Sequence, residues 1–240
     1  MKINTTSKRF SRRGFTLAES VIAIGILVVL ITGFLAVFGP AATAIRRTLS
    51  AQEASRLQTT LERELSILRP GDDEDNYDSS LEKAFDYIAT SHDQGRSIMV
   101  YNYRGSLVQT REDGTPEPET EQNGVAGEDY LVIPMVRRMD DPFLDEDFEA
   151  IEGRVFFVKM TQLIYESESL EVAEEPGQIV DPHDEGSDFT QNANEYPDAM
   201  VAVEAQFFIL PTRSIGYING AFNPEDFTRP VFRRNLGIRR

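Results

Sequence analysis

The chain has 240 residues, no cysteine and a net charge of −16, with 40 acidic side chains against 24 basic ones. The lack of cysteine excludes disulfide staples, thiol catalysis and cysteine metal sites. The acidity argues against nucleic acid as a main partner, because phosphates are repelled, and its plain role is solubility.

Charge is unevenly spread at the start. Lys2, Lys8, Arg9, Arg12 and Arg13 precede Gly14, and from Phe15 to Phe38 the only ionisable side chain is Glu19. As a helix that run reaches about 36 Å at ~1.5 Å per residue, enough to cross a hydrocarbon core of ~30 Å. A carboxylate inside it needs a reason, since an intramembrane charge costs about 2.5–3.5 kcal/mol even on the lenient insertion scale. Thr16-x-x-Glu19 fits a capping box, in which Glu19 satisfies amides at a helix start. A signal peptide or signal anchor also begins with a basic and then an apolar stretch. The run here exceeds the ~7–15 apolar residues of a secretory signal, and no small-x-small site with a polar boundary is obvious before Ala36.

Arg12-Arg13-Gly14 followed by Phe15-Thr16-Leu17-Ala18-Glu19 closely resembles the prepilin signature of type IV pilins and type II secretion pseudopilins. The resemblance covers roughly thirty residues and combines leader charge, cleavage pair, carboxylate and span length. It implies cleavage by a prepilin peptidase between Gly14 and Phe15, N-methylation of Phe15 by the same enzyme, and use of Glu19 as an assembly contact. The partners it implies are that peptidase and methyltransferase, other pilin or pseudopilin subunits, and an inner-membrane assembly platform. The missing cysteines depart from the many pilins that carry a disulfide. Physics supplies a role for Glu19 independently. Cleavage would create a cationic amine at Phe15, and pairing it with the Glu19 of a neighbour neutralises both charges in a low-dielectric layer and fixes the register of two helices.

Gly39-Pro40 interrupts the apolar run, as a kink or as a stop. Continuation is favoured, because Ile45, Leu49, Leu57, Leu61, Leu65 and Leu68 recur mainly by threes and fours, with Ala51 and Ala54 between them. Arg69-Pro70-Gly71 is a strong stop, so one helix over 15–68 is predicted, its second half offering a stripe to a globular domain. The acidic linker Asp72–Asp78 lacks the glycine and distal glutamate of a calcium-binding helix–loop–helix motif; some pseudopilins bind calcium in a loop, which leaves calcium as a minor possibility. Ser79-x-x-Glu82 reads as a capping box for a short helix with Leu81, Ala84, Phe85 and Ile88 on its buried face. Ser80-x-x-Lys83 matches a serine–lysine motif only superficially, its partner motifs being absent.

The period then turns to β. Ile98–Tyr103 and Ser106–Thr110 flank Arg104-Gly105 and suggest a hairpin, and Tyr130–Met139 is a strand that Pro134 assigns to an edge or a bulge. Asp140–Glu149 reads as an acidic connection, Arg154–Tyr165 as a strand, and 166–198 as a flexible loop. Met200–Leu210 alternates cleanly, so the sheet is expected to pack one face and wet the other. Arg229–Arg240, with five arginines and no acid, reads as a solvated tail. His92 and His183 lack ligand spacing, and no phosphate loop, nucleophile elbow or zinc signature is present, so no enzymatic role is expected.

The reading is an α+β, pilin-like chain whose long N-terminal helix packs on an antiparallel sheet domain. Its parts are a cleaved leader over 1–14, a transmembrane and filament-core half over 15–38, an amphipathic continuation over 39–70 and an exported domain over 71–240. The leader should stay cytoplasmic by the positive-inside bias, giving a single-pass inner-membrane protein with a periplasmic domain. The expected role is a minor pseudopilin of a type II secretion-like system, because the domain is large, loop-rich and acidic. The alternatives are a minor type IV pilus subunit and, in another class, a signal-anchored binding domain that does not assemble.

Overall fold

A computed structural model describes residues 16–69, 77–121, 123–166, 169–173, 175–183 and 192–240. The chain divides into two compact units, Met1–Arg47 and Thr48–Arg240. Helix α1 spans Leu17–Glu64 and continues through Pro40. It ends four residues short of the expected Leu68. There the ladder tightens to a bond from Ser66 N to the Arg63 carbonyl, and Arg69 turns back to meet Glu64 at 2.5 Å. Within the second unit Ser50, Ala54, Leu57, Leu61 and Glu64 form the buried stripe. Ile45, Leu49 and Leu68 were expected on it but are exposed. Leu49 precedes the stripe residue Ser50, and one residue is ~100° of helical rotation.

Short helix α2, Ser80–Thr90, follows with the expected cap, Ser79 accepting from Glu82 N at 3.2 Å. Its Leu81, Ala84, Phe85 and Ile88 are buried as the spacing requires. Lys83, fully buried beside them, donates to Glu64 at 2.7 Å and thereby ties α2 to the end of α1.

The sheet has seven strands: β1 (Ile98–Thr110), β2 (Pro116–Pro118), β3 (Leu131–Arg138), β4 (Ile151–Glu166), β5 (Ser169–Val172), β6 (Met200–Ile209) and β7 (Phe232–Arg239). The order is β2-β1-β4-β6-β7, with β3 on β1 and β5 on β4, and every pairing is antiparallel. Pro134 lies on β3, which pairs with β1 alone, so its missing donor is tolerated at an edge. The expected turn at Arg104-Gly105 is absent, because β1 runs straight through it. A Cβ at Gly105 would lie 2.8 Å from Ile133 Cγ1 and from Pro116 Cβ, so the glycine permits close packing of neighbouring strands and makes no turn.

Both faces of the sheet are covered, which corrects the expectation of one wet face. On one side Val100, Phe156, Val158, Val203 and Phe207 pack with Leu57 and Leu61 of α1 and Phe85 of α2. On the other, Met99, Tyr101, Phe157 and Phe208 pack with Leu144 and Phe148 of α3 (Leu144–Glu149), Ile218 of α4 (Ile215–Gly220) and Phe222. A patch of phenylalanines closes this second core, Phe157 meeting Phe222 edge-on at 5.1 Å. The arginine-rich end is no tail either, since β7 pairs with β6 along its length and buries Leu236 and Ile238. In the expected flexible loop, β5 forms a hairpin with β4, and Ile179, Ala193 and Tyr196 are core residues. Gln162 fastens this segment by donating to the Val180 carbonyl and accepting from its N–H, both at 2.8 Å.

Candidate functional site

The first unit offers the segment that sequence reasoning singled out. Thr16 N and Thr16 Oγ1 donate to Glu19 Oε2 at 2.8 and 2.9 Å, and Glu19 N returns a bond to Thr16 Oγ1 at 3.3 Å. This is the reciprocal capping box that Thr16-x-x-Glu19 calls for, and it holds the carboxylate on the amide and hydroxyl of Thr16, just ahead of α1. Gly14 and Phe15, the expected cleavage pair and methylation position, lie outside the described residues.

Beyond the cap the helix shows its apolar side chains on every face. All residues from Thr16 to Leu49 are exposed, among them Leu17, Ile22, Val29, Leu35 and Phe38. Phe34 and Phe38 stack on one another at 4.0 Å. The hydroxyls are satisfied inside the helix: Ser20, Thr32 and Thr43 each donate to the carbonyl four residues back, at 3.3, 2.8 and 3.1 Å. From Val21 to Phe38 the helix has no ionisable side chain, and its one hydroxyl, Thr32, bonds within the helix, which suits residence in lipid. α1 is long and apolar enough to span a membrane.

The other residues considered for chemistry are engaged by neighbours within the fold. His92 Nε2 sits 3.0 Å from the Met160 carbonyl, and burial lowers its pKa. His183 pairs with Asp198 at 3.0 Å on the surface, and that bond raises its pKa. Lys83 of the superficial serine–lysine match donates to Glu64 at 2.7 Å. The acidic linker falls outside the described residues except for Tyr77 and Asp78, and among the described residues no three His, Asp or Glu side chains converge as a metal site.

Sequence reasoning missed a buried ionic cluster beside α3. Asp147, fully buried, accepts from Tyr101 OH, Arg111 Nη1 and Arg137 Nε at 2.7, 2.8 and 2.7 Å. Arg137 reaches Asp113 and Asp141 as well, both at 2.8 Å. Burial alone would lower the pKa of Arg137, but Asp141 and Asp147 outweigh it and the pKa rises. Tyr103 beside the cluster is pushed up to about 12, mainly by burial. The one sequence signal was Arg137 sharing strand parity with Met135, an inward position. The cluster locks α3 onto β1 and β3.

No family model, curated protein or solved structure matches this chain. The α+β class, with its long apolar helix and antiparallel open sheet, rests on the structure alone.

Proposed function

We propose that this chain is a structural subunit of prepilin type, a minor pseudopilin, that is freed from its leader between Gly14 and Phe15 and assembles through α1. The observation that carries the reading is the run from Thr16 to Leu49, wholly exposed and apolar apart from its few hydroxyls, the carboxylate of Glu19 and the basic pair Arg46-Arg47. An apolar surface of this extent needs a covering, first lipid and then the same segment of neighbouring subunits. Assembly exchanges one for the other, so burial between helices holds the filament.

Glu19 selects the register. In the single subunit its carboxylate is occupied by Thr16, next to the residue that would carry the new amine. In the filament the amine of a neighbouring Phe15 takes part of that bonding, and the two charges neutralise one another in a dry environment. The capping box then does double duty, holding the carboxylate in position before the neighbour arrives. The size and acidity of the exported domain suit a low-copy subunit better than a densely packed repeat.

The test compares wild type and Glu19→Ala in sedimentable filaments recovered from cells that also make the other subunits. The variant should reach the membrane normally and be strongly depleted from filaments. Incorporation at wild-type levels would remove Glu19 from the assembly contact.

A further inference from the structure

The ends of the sheet in the second unit carry opposite charge. At one end β7 pairs with β6 alone, and Arg233, Arg234 and Arg239 stand exposed along it. Alternation puts Arg234 on the face of Leu236 and Ile238, and Arg233 and Arg239 on the opposite face, so both sides of this edge present guanidinium groups. Among the described residues Arg234 and Arg239 enter no ion pair, and Arg233 reaches only Glu204, at 3.9 Å.

At the other end, between β2 and α3, lies a pocket of about 530 Å³ whose wall includes Glu112, Glu117, Glu146 and Glu149 together with Arg111 and Phe143. Arg111 pairs with Asp147 at 2.8 Å and with Glu146 of the wall at 3.3 Å, so one shared guanidinium stands against four glutamates and the pocket stays negative. Arg111 is itself almost fully buried, and its Nη2 has no hydrogen-bond acceptor. A ligand that fits must bring cations for the glutamates and an acceptor for this donor. A strand edge rich in arginine brings both, in its guanidinium groups and its main-chain carbonyls.

We propose that β7 of one copy docks in the acid-rimmed pocket between β2 and α3 of a second copy. Because the two surfaces stand at opposite ends of the strand order, the contact between the two copies is heterologous. Arginine on an edge strand also discourages indiscriminate strand pairing, and matching it to a negative pocket turns that protection into partner choice. The contact uses only the unit from Thr48 onward and does not depend on processing at Phe15.

The experiment uses the full chain in membranes, as two differently tagged copies, one carrying Arg234→Cys and the other Glu117→Cys. The chain has no native cysteine, so a flexible bismaleimide reports this pair alone. The mixed dimer should form at least about threefold more than with Gly95→Cys, on the exposed surface, in place of Glu117→Cys, and it should fade as salt screens the contact. Adding Glu146→Lys and Glu149→Lys to the acceptor copy should cut the yield about threefold, and Arg233→Glu with Arg239→Glu on the donor copy should restore it. Unchanged melting temperatures show that a lost cross-link is not a lost fold. The result should persist in a Glu19→Ala background, which separates it from the filament reading. Equal yield with the Gly95→Cys control, or indifference to the lysine substitutions, overturns the proposal. So does a donor edge that binds vesicles containing phosphatidylglycerol while the acidic pocket has no effect, since the partner of β7 is then lipid.

Discussion

From Leu17 to Leu49 every side chain of α1 is exposed, while from Ser50 to Glu64 every third or fourth one is buried in a core shared with the sheet. The first stretch is apolar apart from Glu19, Arg46, Arg47 and a few hydroxyls, of which Ser20, Thr32 and Thr43 bond within the helix. The second is amphipathic and relies on partners: Glu53 accepts from Arg154 N and Nη1 at 3.0 Å, and Glu64 from Lys83. Gly153 takes φ +80° there, a conformation that L side chains rarely adopt, and a Cβ would also push the Glu53 carboxylate from 2.5 Å away. One helix therefore contains a part, Ser50–Glu64, with a stripe buried within the chain and a part, Leu17–Leu49, exposed along its whole length. Domain stability should follow the buried part and, on the proposed function, localisation and assembly the exposed part.

The comparison can be broken most forcefully at the cluster that secures the second core. Arg137→Met leaves Asp113, Asp141 and buried Asp147 short of their common cation, and should cost about 3–5 kcal/mol in denaturant unfolding of the detergent-solubilised chain. Leu61→Ala, at a fully buried position of the stripe, should cost about 2–5 kcal/mol by opening a cavity. Ser79→Ala should cost about 1 kcal/mol through the lost cap of α2. In the exposed stretch, Leu30→Ala should change unfolding of the domain by less than about 0.5 kcal/mol and show its effect only in membrane retention. A large loss of domain stability from Leu30→Ala would erase the contrast.

His92 sharpens the same contrast through pH. Burial lowers its pKa in the folded state, so the unfolded chain binds the proton first as pH falls. The stability contributed by the neutral ring is complete above the ordinary histidine value of ~6.5 and is lost as pH drops through the lower folded value. His92→Gln should flatten the melting temperature between pH 7 and pH 5. An unchanged pH profile would show that another group controls it.

How far the fold could be read ahead followed from how its signals arise. The apolar run, the two capping boxes and the alternation of β6 are local patterns, and the structure carries each of them. The second covered face was not legible, because α3 lies in a run dominated by Asp and Glu, and of that run Leu144, Phe148 and the acidic Asp147 itself turn inward. Gly105 resembled a turn because glycine permits turns, whereas its reason is the approach of Ile133 and Pro116 from other strands. The arginines of β7 hid a strand because charge on an edge looks like charge on a tail, while Leu236 and Ile238 carried the alternation. The carboxylate of Glu19 was legible by its isolation in an apolar run, and the ionic cluster at Asp147 was not, since its members come from four segments of the chain.

The most direct measurement is the mass of the N-terminal peptide of the protein taken from its own membranes. A prepilin-type subunit should begin at Phe15 and carry one added methyl group. An intact Met1 terminus, in cells whose peptidase processes another prepilin, or a cut beyond Ala36, would contradict it.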